Sequence, residues 1–151
     1  MIIKNLQELH QLIDKYLIKL ITRELIKRKS LIILFKGHLG AGKTTIIKRI
    51  AKKLKIKENI NSPTFVLWQI YQFKLVKENF NFNHIDLYRV QANDLLRLSL
   101  KSKIKDQNNL FLIEWGEKLL PFLTRNKINY LIIEIKILTK KKRDIKIKWK
   151  N

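Results

Sequence analysis

Gly37-His38-Leu39-Gly40-Ala41-Gly42-Lys43-Thr44 lies between two segments of different period. Before it runs Leu31-Ile32-Ile33-Leu34-Phe35, an apolar stretch of the length of a buried strand. After it, Thr45-Ile46-Ile47-Lys48-Arg49-Ile50-Ala51-Lys52-Lys53-Leu54 repeats its apolar residues at helical spacing. Strand, glycine-rich turn and helix are the context in which a G-x-x-x-x-G-K-[ST] match reads as a phosphate-binding loop. A triphosphate has to be wrapped by backbone N–H groups, and Gly37, Gly40 and Gly42 let that backbone come close. The start of the following helix adds free N–H donors and the positive end of a dipole. Lys43 is expected to reach the β- and γ-phosphates, and the Thr44 hydroxyl to ligate Mg²⁺. The chain has only 4 glycines and three of them fall in this loop, so the match does not come from a glycine-rich background.

The totals narrow the class. A length of 151 residues with 46% hydrophobic content fits one domain, expected over 1–151, with a sizeable core. No apolar run approaches a membrane span, and Met1-Ile2-Ile3-Lys4-Asn5 leads into an amphipathic segment rather than an apolar leader. Without cysteine there are no disulfides, thiolate metal sites or cysteine nucleophiles. A cytoplasmic protein with no membrane contact is the simplest fit. The net charge of +21 would by itself point to nucleic acid. Its lysines, however, are spread over every segment among isoleucines and asparagines, as compositional drift would also leave them. Charge therefore does not decide the function.

Taken in order, Asn5 to Lys29 reads as one long helix with an apolar stripe of Leu6, Leu9, Ile13, Leu17, Leu20, Ile21 and Leu25. Such a helix is expected to pack on the sheet; the alternative, that its early turns lie near the nucleotide base, has no signal in the sequence. In Asn61-Ser62-Pro63-Thr64-Phe65, Pro63 stiffens a loop that presents Thr64, either as an ordinary turn or as a sensor of the γ-phosphate. Val66 to Phe73 and Phe80 to Leu87 read as strands joined by Lys74 to Asn79, an antiparallel hairpin with Phe80, Phe82 and His84 on one side. It ends in His84-Ile85-Asp86-Leu87-Tyr88-Arg89, where Asp86 is either a solvated ion pair or cap, or a group that orients the attacking water. Ala92 to Lys101 is expected to be a helix, buried through Leu95, Leu96, Leu98 and Leu100, and Lys103 to Asn109 a polar loop.

Leu110-Phe111-Leu112-Ile113-Glu114-Trp115 is the second strong signal. An apolar run closed by a carboxylate fits a buried parallel strand whose acidic end meets Mg²⁺ at the carboxyl edge of the sheet. Glu114 is thus the candidate partner of Thr44 at the metal, against the plainer role of a surface glutamate. Trp115 either packs there or senses the nucleotide. Glu117 to Leu123 is expected to be a short helix ended near Pro121 or just after it. Tyr130 to Leu138 and Ile145 to Trp149 then form a closing hairpin around the basic turn Thr139 to Asp144.

Asn126-Lys127-Ile128-Asn129 lacks the aspartate that a guanine-reading Asn-Lys-x-Asp motif requires. The short connections leave no segment for a kinase lid. A minimal switch acting on another protein remains. Together, GHLGAGKTT over Gly37–Thr45, SPTF over Ser62–Phe65, HIDLYR over His84–Arg89 and IEW over Ile113–Trp115 resemble the TsaE (YjeE) family in order and spacing. That is the bacterial ATPase family of tRNA threonylcarbamoyladenosine biosynthesis, and the resemblance covers nearly the whole chain.

The resemblance implies ATP and Mg²⁺ as ligands. It places the phosphates on Gly37, Gly40, Ala41, Gly42, Lys43, Thr44 and Thr45, and Mg²⁺ on Thr44 and Glu114. Asp86 matches the acidic residue near the γ-phosphate, Thr64 the threonine of a switch-like loop, and Arg143 a C-terminal arginine near the nucleotide. Family members work with the TsaB–TsaD pair on tRNAs that read codons beginning with A, which makes tRNA an indirect partner or a direct one. His38 stands where the family usually has aspartate or asparagine, and Ser99 near a common glycine; neither position carries the chemistry. The expected fold is a three-layer α/β P-loop NTPase-like domain, with a mostly parallel sheet and antiparallel additions. The expected activity is slow ATP hydrolysis that depends on partners, with catalysis by Lys43, Asp86 and Thr64. The alternatives are a nucleotide-gated RNA-binding module or a small-molecule P-loop kinase.

Overall fold

The computed structural model describes residues 1–28, 30–61, 63, 67–89 and 94–150. Its sheet has seven strands: β1 (Ile2–Ile3), β2 (Ser30–Lys36), β3 (Trp68–Leu75), β4 (Glu78–Asp86), β5 (Asn109–Glu114), β6 (Tyr130–Ile137) and β7 (Arg143–Lys150). They lie in the order β1-β7-β6-β2-β5-β4-β3. The four central strands, β6, β2, β5 and β4, are parallel; β3, β7 and β1 add to them in antiparallel sense. Central strands covered on both faces are expected to be near-continuous apolar runs, and β2 from Leu31 to Phe35 and β5 from Leu110 to Ile113 are. Leu31, Ile33, Phe35, Leu110 and Leu112 face one core, while Ile32, Leu34, Phe111 and Ile113 face the other.

Helices α1 (Leu6–Leu12), α2 (Ile18–Arg28) and α3 (Lys43–Lys53) cover the first face, and α4 (Asp94–Lys105) and α5 (Leu120–Arg125) the second. This is the expected three-layer arrangement. The N-terminal helical run begins at Leu6, because Asn5 caps it, its side chain accepting from the Glu8 N–H at 2.9 Å. Between α1 and α2 the chain makes a π-helical turn at Ile13–Leu17. The sequence explains it. Leu9, Ile13, Leu17, Ile21 and Leu25 recur every four residues and all are buried. At 3.6 residues per turn each such step drifts about 40° off the face. The wider π turn takes up part of the drift and keeps the row on the sheet.

Other boundaries differ from the sequence expectation for local reasons. The β3–β4 hairpin turns in two residues rather than six, with Val76 in the left-handed region at φ 59°. Helix α4 continues to Lys105, so the segment 103–109 is not a loop throughout. Asn109 opens β5, and its amide donates to the carbonyls of Lys103, Asp106 and Gln107, closing the connection. Ala92 and the side chains of Leu95, Leu96 and Leu98 lie outside the described set; Leu100 is buried as expected. Pro121 does not end a helix but stands in the first turn of α5, after a 3₁₀ turn at Gly116–Leu119. There its missing N–H costs nothing. Among the described residues no helix is long and apolar enough to cross a membrane.

The helix that carries the glycine-rich loop is clamped to the π turn. Arg49 Nε and Lys53 Nζ on α3 reach Asp14 at 2.9 and 2.6 Å. The Arg49 hydrogen bond holds the Asp14 carboxyl down at about 2, and Asp14 in turn raises Arg49. Because the folded carboxyl lies below its ordinary value near 4, its stabilisation is complete above that value and is lost as pH falls towards about 2. Asp14→Asn is expected to cost about 1 kcal/mol at pH 7, allowing for solvent screening. In denaturant titrations the gap between wild type and variant should narrow from pH 4 downward. A gap that persists unchanged at pH 3 would contradict the clamp.

Candidate functional site

The parallel register fixes where the candidate residues meet. Phe35 of β2, Glu114 of β5 and Asp86 of β4 are cross-strand partners in one row at the carboxyl edge of the sheet. The glycine-rich loop leaves β2 one residue beyond that row, and α3 returns over the face to which Phe82, His84 and Leu112 belong. Side chains alternate along a strand. Glu114 and Asp86 therefore point to the side on which α3 begins, two carboxylates beside a helix N-terminus.

Two of the loop glycines answer definite constraints. A Cβ on Gly37 would stand 2.6 Å from the backbone oxygen of Ile135, so the loop can start this close to β6 only without a side chain. Gly42 caps α3 at φ 105°, a left-handed conformation that favours glycine. Between them Ala41 N–H closes a turn on the His38 carbonyl at 3.1 Å. His38 itself is exposed, consistent with tolerance at that position.

Lys43 is 4% exposed and folds back onto its own loop. Its Nζ donates to the carbonyls of Gly37 at 2.8 Å and His38 at 3.0 Å, and lies 4.1 Å from the centre of the Trp115 ring. Burial pulls the ammonium below its ordinary pKa, while Glu114, Glu117 and Asp86 pull the other way. Trp115 owes its position to backbone conformation. It sits in the left-handed region at φ 57°, and a Cβ on the following Gly116 would stand 2.7 Å from Leu34 Cβ. The turn after β5 is thus pressed onto β2. Tyr88 backs the indole at 5.1 Å between ring centres.

Thr44, next along α3, donates its hydroxyl to Glu114 Oε1 at 2.7 Å, and His84 Nε2 lies 3.0 Å from the same oxygen. Asp86, 4% exposed, accepts the Tyr88 N–H at 2.8 Å, a turn that holds the carboxylate at the strand end. Lys118 donates to the Leu87 and Tyr88 carbonyls and ties the 3₁₀ turn to this segment. Among the described residues no three His, Cys, Asp or Glu side chains gather to hold a metal ion. The hard oxygens of Thr44 and Glu114 nonetheless suit a cation that draws its remaining ligands from phosphates and water, as Mg²⁺ does.

Arg143 reaches the same loop from β7. Its Nε donates to the Ala41 carbonyl at 3.2 Å and its Nη1 to that of Thr139 at 2.9 Å. Next to it opens a cavity of about 450 Å³ walled by Ile3, Leu6, Leu9, Gly40, Thr45 and Arg143. The start of the first helix, expected to pack on the sheet or to lie near the nucleotide base, lines this cavity through Leu6 and Leu9. Sequence reading had no signal that set Leu6, exposed at the helix start, apart from the buried members of the stripe. It also passed over His84, whose burial on a strand of aromatic residues was legible from the alternation with Phe80 and Phe82. Lys43, Thr44, Glu114, Asp86 and Arg143 lie around the glycine-rich loop; Thr64 lies outside the described residues.

The family described as "Threonylcarbamoyl adenosine biosynthesis protein TsaE" matches residues 4–145. Its relative from Rickettsia typhi, named tRNA threonylcarbamoyladenosine biosynthesis protein TsaE, is 39% identical over 80% of this chain and 78% of its own. The protein of the same name from Aquifex aeolicus is 36% identical over 77% of this chain and 75% of its own. Among solved structures, Bacillus subtilis YdiB superposes with a TM-score of 0.54 at 25% identity, covering 82% of this chain and 75% of its own.

The contact of Lys43 with Trp115 has an optical consequence. Adding a nucleoside triphosphate is expected to draw the ammonium off the indole and change the Trp115 emission. The change should disappear in Lys43→Met and in Trp115→Phe, although Trp68 and Trp149 remain. A full response in Lys43→Met would show that Lys43 does not move towards the ligand.

Proposed function

The chain belongs to the TsaE family, and on that premise we propose that it binds and hydrolyses ATP for the formation of N6-threonylcarbamoyladenosine in tRNAs that read codons beginning with A. One observation carries the reading. The register that aligns Phe35, Glu114 and Asp86 sets two carboxylates beside the glycine-rich loop, with Thr44 already bonded to one of them.

Each residue then has a task set by its place. Lys43 exchanges the Gly37 and His38 carbonyls for phosphate oxygens, and the loop N–H groups with the α3 N-terminus hold the anion from behind. Gly40, Ala41, Gly42 and Thr45 belong to that cradle. Thr44 and Glu114 are the residues that would hold Mg²⁺, which supplies charge neutralisation on the phosphates. Asp86, fixed through Tyr88, orients a water for attack on the γ-phosphorus. Thr64 takes the part that the family resemblance gives it, the threonine of the switch-like loop. The cavity beside Gly40 takes the nucleoside: Leu6 and Leu9 offer an apolar wall, and Lys140, Lys141 and Arg143 a cationic rim. As a minimal switch the chain acts through the TsaB–TsaD pair, resetting that complex rather than transferring the threonylcarbamoyl group itself.

Steady-state ATP hydrolysis by the purified chain, alone and with its sibling TsaB and TsaD, tests the reading. Slow turnover that rises with the partners is expected, reduced by about 10²-fold or more in Lys43→Ala. Turnover indifferent to the partners, with no association detected, would overturn the assignment to that complex. Salt-sensitive binding of tRNA without the partners would favour a nucleotide-gated RNA-binding module instead.

A further inference from the structure

His84 has no part in the chemistry above, yet it is the most unusual side chain near the site. It is 0% exposed and lies on the β4 face whose other members, Phe80 and Phe82, are core aromatics. A third apolar residue would fill the same space without desolvating an imidazole. The ring instead points Nε2 at Glu114 Oε1, 3.0 Å away, and the same oxygen accepts the Thr44 hydroxyl at 2.7 Å. A carboxylate can only accept, so the histidine donates from Nε2. Nδ1 is then the second polar atom of the ring, and it is buried with no hydrogen-bond partner among the described residues. A group placed for packing would not leave such an atom stranded. One placed for the sake of its Nε2–H would tolerate it.

We propose that His84 is the positioning residue of the metal site, its Nε2–H fixing the Glu114 carboxylate so that Glu114 and Thr44 present their oxygens together. This rests on the reading that Glu114 is a metal ligand. Strand β4 supplies His84 and β5 supplies Glu114, and the two strands pair in parallel from Asn81 to Asp86, so the hydrogen bond crosses a rigid part of the sheet. Two donors converging on Oε1 leave the carboxylate little freedom to rotate, and Oε2 is left for other partners. Without the imidazole donor, Thr44 alone would hold Glu114, through a hydroxyl that must also turn towards the cation. Removing a group that orients a ligand typically weakens metal binding by about 10–100-fold.

Substitutions at residue 84 separate this role from packing. His84→Leu fills the space without a donor; His84→Gln restores an N–H near the position of Nε2; His84→Asn keeps an amide but falls short of Glu114. Mn²⁺ serves as the probe, its binding followed by electron paramagnetic resonance in the presence of a non-hydrolysable ATP analogue, and thermal melting is recorded alongside. His84→Leu and His84→Asn are expected to weaken Mn²⁺ about 10-fold or more while binding the analogue in EDTA as wild type does. His84→Gln should recover most of the loss. If His84→Leu does not fold, the comparison of Asn with Gln still decides. Mn²⁺ affinity unchanged in both His84→Leu and His84→Asn, beside a clear loss in Glu114→Gln, would overturn the role of His84 alone. No loss in Glu114→Gln would overturn the metal reading, and this proposal with it. Equal weakening in Gln, Asn and Leu that follows their melting temperatures would reduce His84 to packing.

Discussion

Strand register is the constraint on which the rest of the molecule depends. Because side chains alternate with a period of two, a slip of one residue between β2 and β5 or between β5 and β4 would turn Glu114 or Asp86 to the wrong face of the sheet. It would take the core with it. Leu110 and Leu112 would exchange places with Phe111 and Ile113, and the large aromatic would press into the side that α3 occupies. Since β2 and β5 are buried on both faces, hydrophobicity alone penalises that slip weakly. Shape must do it, together with the polar ends of β5. Asn109 is tied to three carbonyls at one end, and Glu114 to Thr44 and His84 at the other. The residues that carry the candidate chemistry thus also hold the strand in register.

The lysine at the centre is in a self-satisfied state. Lys43 spends its donors on two carbonyls of its own loop and rests on an indole, which makes burial of an ammonium tolerable. A ligand has to displace those contacts. The bonds to the carbonyls already carry the charge of the ammonium, but a phosphate oxygen is charged as well, so the exchange adds an ion–ion attraction in a buried setting. The exchange is therefore downhill for an anion and for little else. Trp115, fixed by a left-handed backbone and by a glycine pressed on Leu34, keeps bulk water from the lysine in the meantime.

Much of this was legible in the sequence because it rests on local pattern. The loop is a contiguous motif, β2 and β5 are unbroken apolar runs, and Glu114 closes one of them. What escaped was what depends on a neighbour distant in sequence. The π turn is needed only because a four-residue apolar spacing must keep facing a flat sheet, and nothing local announces that surface. Pro121 read as a stop because proline usually is one, whereas the preceding 3₁₀ turn makes it a start. Asn109 read as loop because asparagine favours turns; its side chain does build one, from the first position of a strand. The cavity beside Gly40 joins residues 3–9 to residues 140–143, and no spacing rule connects them.

The charge also looks different once placed. The chain has 12 acidic residues against 33 basic ones, yet three of the twelve, Asp86, Glu114 and Glu117, act on the one buried lysine of the loop. A fourth, Asp14, clamps the helix that carries it. Lysines scattered over the surface are what drift would leave, but acidic residues this scarce and this gathered serve the loop. Their sum has a consequence for the proposed ligand. All three act on the same ammonium, and at short range in a partly buried site such charges are weakly screened. Arg143 is turned towards the loop and donates to the backbone carbonyls of Ala41 and Thr139, beside the Gly40 cavity. On the proposed reading, a divalent cation held where Glu114 and Thr44 offer their oxygens would sit among these carboxylates, a place that lysines scattered over the surface do not fill.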